Sequence, residues 1–169
     1  MRKSNWLICL GMLCVAFTAG AADKPITFSF ATSGGNTPYD TNDDGMGVGV
    51  TFGKIKGSLG SGDISIASEW AVNLTETCPA AGAVKFSLVD NKVVAVLPDL
   101  SQLIAAGTTG WMCVDMTTGY FYGVADGVYL GGTGRYKGAT GTWTSNFYGY
   151  QLGGGFALLN GTVKGKLTK

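Results

Sequence analysis

The sequence contains no histidine, only four prolines and four cysteines, and only 14% charged side chains. Without histidine, a Ser-His-Asp or Cys-His catalytic group, a histidine-liganded zinc site and a histidine pH switch are all excluded. The sequence also lacks a Gly-x-Ser-x-Gly nucleophile elbow, a P-loop and an internal repeat. It does have 28 glycines and 46% hydrophobic residues. This composition argues against disorder and predicts many tight turns and bulged strands.

The N-terminal segment has the pattern of a secretory signal. Arg2 and Lys3 precede an uncharged run from Trp6 to Phe17, and Ala19-Gly20-Ala21 provides the small residues of a cleavage site. The run is shorter than the roughly 20 residues that a membrane-spanning helix needs. We therefore predict a signal peptide over residues 1–21, a single domain over residues 22–169, and a secreted or periplasmic location.

The charge of the predicted mature chain is close to zero. Cleavage removes Arg2 and Lys3 and leaves ten basic and eleven acidic residues, a net charge of −1. The basic residues are scattered, and nucleic acid or anionic lipid needs clustered ones, so we predict neither partner. An integral membrane protein is not expected. A small outer-membrane barrel stays as an alternative because it is also rich in glycine and aromatic residues, but the chain lacks the C-terminal aromatic residue typical of that class.

Two cysteines remain after the predicted cleavage, Cys78 and Cys113. An even pair in an exported protein predicts one disulfide. It closes a loop of about 35 residues, for which the chain-entropy model gives roughly 3 to 4 kcal/mol of stabilisation. A reactive thiol pair is disfavoured, because the two cysteines are far apart in sequence and have no cationic neighbours.

Hydrophobic residues alternate with a period of two along most of the chain, which predicts strands. The apolar faces are Ile26, Phe28 and Phe30; Val48, Val50 and Phe52; Ile64, Ile66, Trp70, Val72 and Leu74; Val84, Phe86 and Leu88; and Tyr120, Tyr122, Val124, Val128 and Leu130. Only residues 99–106 have helical spacing behind an Asp cap. The pattern predicts an all-β sandwich or closed barrel. We favour a single antiparallel β-barrel of eight or nine strands with at most one short helix, because a barrel removes exposed edges.

A glycine-rich run near the C-terminus carries a family resemblance. Residues 131–141, Gly-Gly-Thr-Gly-Arg-Tyr-Lys-Gly-Ala-Thr-Gly, resemble the GGTG-[RK]-[FY]-x-x-A-x-G signature of the allene oxide cyclase and dirigent barrel superfamily, including secreted bacterial members of unknown function. Physically, the run suits a barrel corner with Tyr136 and Ala139 tucked under the turn. The resemblance implies an eight-stranded barrel with an apolar interior, often trimeric, that binds or steers small hydrophobic molecules. On this basis we predict ligand contacts from Trp70, Tyr122, Arg135 and Tyr136.

Catalytic residues do not carry over from the resemblance. Glu69 is the one conspicuous acid or base, since a buried carboxylate in an apolar cavity can move protons. Strict alternation places Trp70 inside the barrel, however, and therefore Glu69 outside, so we expect a solvent-facing Glu69. Arg135 and Asp115 fit either a cavity pair or a surface pair.

Residues 40–45, Asp-Thr-Asn-Asp-Asp-Gly, match the first half of a calcium loop. In that interpretation Asp40, Asn42 and Asp44 supply oxygen ligands to a structural calcium ion. The match fails at the twelfth position, where Thr51 stands in place of a bidentate glutamate. A solvated acidic turn explains the same residues.

Taken together, these features predict a non-catalytic barrel that binds a small hydrophobic ligand or another protein and needs no cofactor. One alternative is a cofactor-free cyclase or isomerase that guides a hydrophobic intermediate inside the barrel. Another is a calcium-stabilised surface protein. An enclosed apolar cavity with Glu69 or Arg135 pointing into it would favour the first two classes.

Overall fold

The structure, a computed structural model, describes residues 23–169, so the predicted signal peptide over residues 1–21 lies outside the described residues. The described chain forms a closed eight-stranded antiparallel barrel in which each strand pairs with its sequence neighbours and the last pairs with the first. The strands are β1 Lys24–Asn36, β2 Gly49–Gly57, β3 Gly60–Val72, β4 Ala83–Val96, β5 Gln102–Asp115, β6 Tyr120–Gly132, β7 Thr140–Leu152 and β8 Phe156–Thr168. The predicted barrel is confirmed, with eight strands.

Helical structure in the described range is limited to two 3-10 turns, Gly134–Tyr136 and Gly153–Gly155. No helix between residues 23 and 169 is long and apolar enough to cross a membrane. The predicted helix over residues 99–106 is wrong, because Gln102 begins β5 and the side chains of Leu103 and Ala105 are buried with a period of two. Asp99 caps a tight turn instead, accepting a hydrogen bond from the amide of Ser101 at 3.2 Å.

The two ends of the barrel differ in their connections. One end, the long-loop end, carries the β1–β2 loop (residues 37–48), the β3–β4 loop (73–82), the β5–β6 turn (116–119) and the turn at Gly153–Gly155. The other end, the corner end, carries the short turns between β2 and β3 and between β4 and β5, and the glycine-rich corner at residues 133–139. These two ends give the reference for the residues described below.

Alternation correctly predicts which residues of β1 and of the first part of β3 face the core. Ile26, Phe28 and Phe30 are buried, as are Ile64 and Ile66. The alternation changes phase in β4, where Glu69 pairs with Asp90 and the next residue of β3 pairs with Leu88. The extra residue, Val89, forms a bulge and is exposed. Beyond the bulge the buried positions of β4 therefore shift by one.

The predicted apolar faces of β2 and β6 turn outward, not inward. Phe52 is 62% exposed, whereas Thr51 and Ile55 are buried. In the same way Tyr122 lies on the outer face of β6, and Phe121 and Tyr129 lie inside. The prediction for the last two apolar residues of the β3 face is also wrong. Val72 is exposed, and Leu74 lies beyond the end of the strand.

Interior aromatic rings explain this reversal. The inward face of β6 alternates glycine with aromatic residues or alanine, and several interior rings lie directly across from glycines on the neighbouring strand. The pairs are Phe30 with Gly161, Phe121 with Gly149, Phe147 with Gly123 and Trp143 with Gly127. A Cβ at Gly127 would lie 2.3 Å from Cζ2 of Trp143. An interior of eight strands has room for few rings, and the glycine opposite each ring leaves space for that ring to pack against the neighbouring strand.

Candidate functional site

The interior of the barrel contains a cavity of about 170 Å³ that is partly open to solvent. Its wall is mostly apolar, because the inward-facing residues of every strand contribute to it. Representative members are Phe28, Ile66, Val93, Met112, Trp143 and Phe147. A protein interior normally contains few voids larger than a water molecule, so a cavity of this size is a distinctive feature of this core.

Two residues of the β1–β2 loop line the cavity at the long-loop end. Met46 and Gly47 line the cavity, and the Met46 side chain is partly buried against the hydrophobic core. Thr37 holds both ends of the loop together, since its amide and its hydroxyl both donate to the carbonyl of Val48, at 2.8 and 3.0 Å. Access to the cavity from this end therefore depends on the position of the loop.

Three side chains that line the cavity each carry a fully buried polar atom without a hydrogen-bond partner among residues 23–169. They are Oγ1 of Thr51, Oδ1 of Asn91 and the hydroxyl oxygen of Tyr129. The three side chains are only 9%, 7% and 5% exposed, respectively. They belong to β2, β4 and β6, so they approach the cavity from different sides of the barrel. Buried polar atoms almost always have partners, so three unpartnered atoms within one barrel interior are unusual.

The protonation and orientation of two of these groups are fixed by their surroundings. The amide nitrogen of Asn91 donates to the carbonyl of Ala67 at 3.4 Å, which leaves Oδ1 as a free acceptor. Burial raises the pKa of Tyr129 well above its usual value, so its hydroxyl stays protonated at neutral pH.

Within the described chain, no Asp, Glu, Lys or Arg lines this cavity. A charged group brought into it would lose its hydration without gaining a counter-charge, which is strongly unfavourable. The geometry therefore suits a neutral guest.

Among the four predicted ligand contacts, the structure places only Trp70 on the cavity wall. Its ring lies 5.7 Å from that of Phe147, and its indole nitrogen donates to Oγ of Ser68 at 3.1 Å. The ring is therefore held in one orientation from both sides.

Tyr122 belongs to an outer aromatic surface and not to the cavity. This surface comprises Trp111, Tyr120, Tyr122, Tyr148 and Tyr150 on β5, β6 and β7. Tyr122 makes an edge contact with Trp111 at 6.0 Å and stacks on Tyr120 at 6.2 Å. Tyr148 and Tyr150 are about half exposed. A role for Tyr122 in ligand binding stays a prediction.

Arg135 and Tyr136 lie at the corner end, away from the cavity wall. Tyr136 is buried under the glycine-rich turn together with Ala139, as expected for a barrel corner. The Arg135 guanidinium donates to the carbonyl of Leu59 at 3.1 Å and pairs with Asp99 at 3.4 Å. Arg135 therefore joins three turns of the corner end, and its predicted contact with a ligand remains untested.

Asp115 does not pair with Arg135, because it lies at the opposite end of the barrel. Its carboxylate accepts hydrogen bonds from the amides of Thr117 and Thr118 in the β5–β6 turn. These amide donors hold the pKa of Asp115 below its usual value. Its role in the described structure is to shape that turn.

The burial of Glu69 differs from the expectation based on its sequence pattern. It projects away from the cavity, as alternation requires, since its neighbours Ser68 and Trp70 line the wall. It is only 1% exposed, however, so the expectation of a solvent-facing side chain is wrong. The β1–β2 loop covers it, and the amide of Thr41 donates to Oε1 at 2.8 Å while the Thr41 hydroxyl donates to Oε2. Alternation gives the face of a strand but does not show which faces a loop will cover.

The predicted calcium ligands lie in this same loop and bond to the loop itself. Asp40 accepts hydrogen bonds from the amides of Asn42 and Gly45, and Asp44 accepts one from Met46. Desolvation raises the pKa of Asp40, but these amide donors outweigh it, so the net pKa is lowered. Residues 23–169 contain no group of three or more His, Cys, Asp or Glu side chains placed to hold a metal ion. Calcium binding by Asp40, Asn42 and Asp44 stays a prediction.

The predicted disulfide between Cys78 and Cys113 is present, with a Cα–Cα distance of 5.8 Å. Cys113 is fully buried in β5, and Cys78 belongs to the β3–β4 loop. The bond therefore ties this loop to the barrel wall at the long-loop end.

Sequence reasoning missed the three orphan polar residues of the cavity. Thr51 was hidden because its strand was assigned the opposite face, and Asn91 because Asp90-Asn91 has the composition of a turn although both residues lie within β4. Tyr129 follows Phe121 and Ala125 at even spacing on the inner face of β6, so the aromatic-glycine alternation was the available signal.

The chain was also compared with known proteins. No protein-family model, no curated protein and no solved structure matches it.

Proposed function

We propose that this protein is a ligand-binding barrel that holds a small, mostly apolar molecule in its interior. The observation that carries the proposal is the apolar cavity of about 170 Å³ at the centre of the barrel. An empty apolar cavity costs stability, because its lining residues lose dispersion contacts. A guest that fills the cavity would restore those contacts.

The cavity volume limits the size of the guest. An engineered apolar cavity of about 150 Å³ stays dry and binds benzene. A cavity slightly larger than this suits one ring with a short substituent, or a branched chain of similar volume.

The composition of the cavity wall favours binding over the cyclase or isomerase alternative. Acid or base catalysis needs a group that titrates near the working pH. Glu69 points away from the cavity, Arg135 lies at the corner end, and Tyr129 is the titratable side chain on the described wall. Its raised pKa makes Tyr129 a poor base at neutral pH.

The exterior and the disulfide support a role in aqueous, oxidising surroundings. Lys54, Lys56, Lys164 and Lys166 are exposed on outward faces, while the interior is apolar. A transmembrane barrel has the reverse arrangement, with an apolar outer band. The bond between Cys78 and Cys113 is of the kind that persists in secreted and periplasmic proteins. We propose export on this basis, and kinship with the allene oxide cyclase and dirigent barrels on the corner sequence at residues 131–141.

Calorimetric titration with ethylbenzene tests the proposal. We expect saturable one-to-one binding to the purified protein. Ala105→Leu, which adds a branched side chain to the cavity wall, should weaken binding at least tenfold. The matched control Ala106→Leu changes the next residue of β5, which is absent from the cavity lining, and should leave binding unchanged. Equal loss in both variants, or no binding to the unmodified protein, would contradict the proposal.

Contact with another protein is a second candidate function, favoured by the outer aromatic surface. Exposed aromatic clusters often mark protein interfaces. The family resemblance makes a homotrimer the arrangement to test. Light scattering of the protein and of Tyr148→Ser/Tyr150→Ser, which removes two half-exposed rings, would distinguish the states. A trimer that dissociates in the variant supports this candidate, and a monomer in both removes it.

A further inference from the structure

The outer wall of the barrel carries a second concave feature, separate from the interior cavity. It is an open groove of about 820 Å³ that crosses the outward faces of β2, β1, β8, β7, β6 and β5. This outer groove is lined by, among others, Lys54, Lys56, Asn146, Asn160, Tyr148 and Trp111. We infer that it binds an acidic polysaccharide, a linear chain of sugar rings that carries carboxylate groups. The inference is independent of any guest in the interior cavity.

The shape of the outer groove suits a long, flexible chain. The strand register sets one outward residue from each of these strands in a single row: Lys56, Ser29, Thr162, Asn146, Val124 and Trp111. Neighbouring strands lie about 4.8 Å apart, so this row spans roughly 24 Å along the wall. The row curves with the barrel, and a flat membrane would therefore contact only part of it. A flexible chain of several linked rings can follow all of it.

Aromatic rings at one end of the outer groove suit the apolar faces of sugar rings. A pyranose has a face of C–H groups and a rim of hydroxyl groups, and the C–H face packs well on an aromatic ring. Trp111 and Tyr122 make an edge contact at 6.0 Å, and Tyr148 lies directly across from Tyr122 on the next strand. Tyr148 is 51% exposed. These three side chains line the groove and give sugar rings an aromatic surface on which to pack.

The middle of the outer groove provides the hydrogen-bonding groups that sugar hydroxyls need. Asn146 on β7 and Asn160 on β8 carry carboxamides, and Thr162 adds a hydroxyl. A carboxamide can both donate and accept, as each sugar hydroxyl can. A purely apolar partner would remove the water from these groups without replacing its hydrogen bonds. Rings combined with amides therefore favour a saccharide over a lipid or an apolar protein surface.

The charge of the outer groove specifies an acidic chain. Its lining contains Lys54 and Lys56 and, among residues 23–169, no Asp or Glu. Lys54 pairs with Asp63, whereas Lys56 has no carboxylate partner within the described chain. A carboxylate of the bound chain would supply that partner through a charge-assisted hydrogen bond. Nucleic acid carries a phosphate at every unit, and two lysines are too few to follow it.

Binding of hexasaccharides to the purified protein tests the inference. The probes are hexasaccharides of galacturonate, mannuronate and hyaluronan, each compared by calorimetry with its carboxyl-reduced form, which keeps the backbone and loses the charge. We expect at least one acidic hexasaccharide to bind, about tenfold more tightly than its carboxyl-reduced form and than the disaccharide of the same chain. The disaccharide is too short to span the row across the strands. If no acidic hexasaccharide binds, or if the carboxyl-reduced form binds equally well, the inference is wrong.

Two pairs of exposed residues locate the binding site. Tyr148→Ser removes a ring of the outer groove and should weaken hexasaccharide binding about tenfold. Tyr39→Ser, which removes an exposed ring of the β1–β2 loop, should leave it unchanged. Lys56→Gln should abolish the preference over the carboxyl-reduced form, and Lys137→Gln, at the glycine-rich corner outside the groove, should keep it. Equal effects within either pair would contradict the inference.

The remaining outcomes separate this inference from other occupants and from the proposed function. Failure of hexasaccharide binding while ethylbenzene still binds would overturn the inference alone, because the interior cavity is a different site. Hexathymidylate or phosphatidylglycerol vesicles that bind as tightly as the best hexasaccharide, and lose binding in Tyr148→Ser, would assign the groove to another polyanion. A trimer that dissociates in Tyr148→Ser/Tyr150→Ser and binds no hexasaccharide would assign the face to a second copy of the chain. Either result would overturn the inference.

Discussion

The carboxylate of Glu69 accepts hydrogen bonds from both the amide and the hydroxyl of Thr41, which lies 28 residues earlier in the chain. These bonds join β3 to the middle of the β1–β2 loop. The same loop contributes Met46 to the cavity wall. A side chain on the outer face of the barrel therefore holds the loop that lines the cavity at the long-loop end. This arrangement connects the stability of the loop with access to the cavity.

Removing the Glu69 carboxylate should release the β1–β2 loop. Glu69→Ala leaves the Thr41 amide without its acceptor, and we expect a loss of about 2 to 3 kcal/mol in the free energy of unfolding. Hydrogen exchange should become faster in residues 37–48 and stay unchanged in β5 and β6. Glu76→Gln, on an exposed glutamate, is the control. Unchanged exchange in the loop would show that Glu69 does not hold it.

Alkaline pH should destabilise the barrel through Tyr129. Burial raises the pKa of this residue in the folded state, so above about pH 10 the unfolded chain releases the proton first. The stabilising effect of the neutral phenol is thus complete below pH 10 and declines above it, by up to about 1.4 kcal/mol per pH unit. Urea unfolding between pH 8.5 and 11.5 measures this decline, and it should be shallower in Tyr129→Phe. Equal slopes in both proteins would refute the assignment.

Reduction of the disulfide should lower stability without opening the barrel. Cys78 and Cys113 close a loop of 35 residues. The chain-entropy model predicts a loss of about 3 to 4 kcal/mol. Denaturant unfolding of the Cys78→Ala/Cys113→Ala variant measures this loss, and its circular dichroism should still show strands. The expectation fails if the double variant is as stable as the oxidised protein.

The glycines that face aromatic rings should not tolerate even a methyl group. At Gly127 an added Cβ would meet the ring of Trp143 at 2.3 Å and the carbonyl of Ala106 at 2.2 Å. We expect Gly127→Ala to cost about 3 kcal/mol in the free energy of unfolding. Gly153→Ala, where no heavy atom lies within 4 Å of the added Cβ, is the matched control and should be nearly neutral. A small cost at Gly127 would mean that the rings can rearrange.

Arg135 should contribute to the corner end and not to ligand affinity. Its guanidinium bonds to the carbonyl of Leu59 and pairs with a half-exposed Asp99. Exposed ion pairs contribute little, so Arg135→Ala should lower the melting temperature by only a few degrees. The calorimetric affinity for ethylbenzene should stay the same, because Arg135 does not line the cavity. A marked loss of affinity would instead support the contact suggested by the family resemblance.

The sequence predicted the fold better than it predicted the site. Closure into a barrel, the corner around Tyr136 and the disulfide all follow from local patterns, namely strand alternation, glycine placement and an isolated cysteine pair. The orientation of β2 could not be predicted, because Phe52 looks like a core residue until the rings of other strands are known to fill the interior. The burial of Glu69 likewise depends on a loop that only the assembled structure places. Polar cavity residues were missed for the same reason, since their role comes from neighbours distant in sequence.

The pairing of Lys24 with Leu167 and of Phe28 with Val163 has a consequence for biosynthesis. β1 cannot form all of its backbone hydrogen bonds until β8 has been synthesised, because the two strands pair with each other. Nearly the whole polypeptide therefore has to emerge before the wall can close, and long-range pairing of this kind is slow. Until then the edges of β1 and of the growing sheet are free to pair with other chains. Such a chain benefits from being kept unfolded, or bound by a chaperone, until β8 has been synthesised.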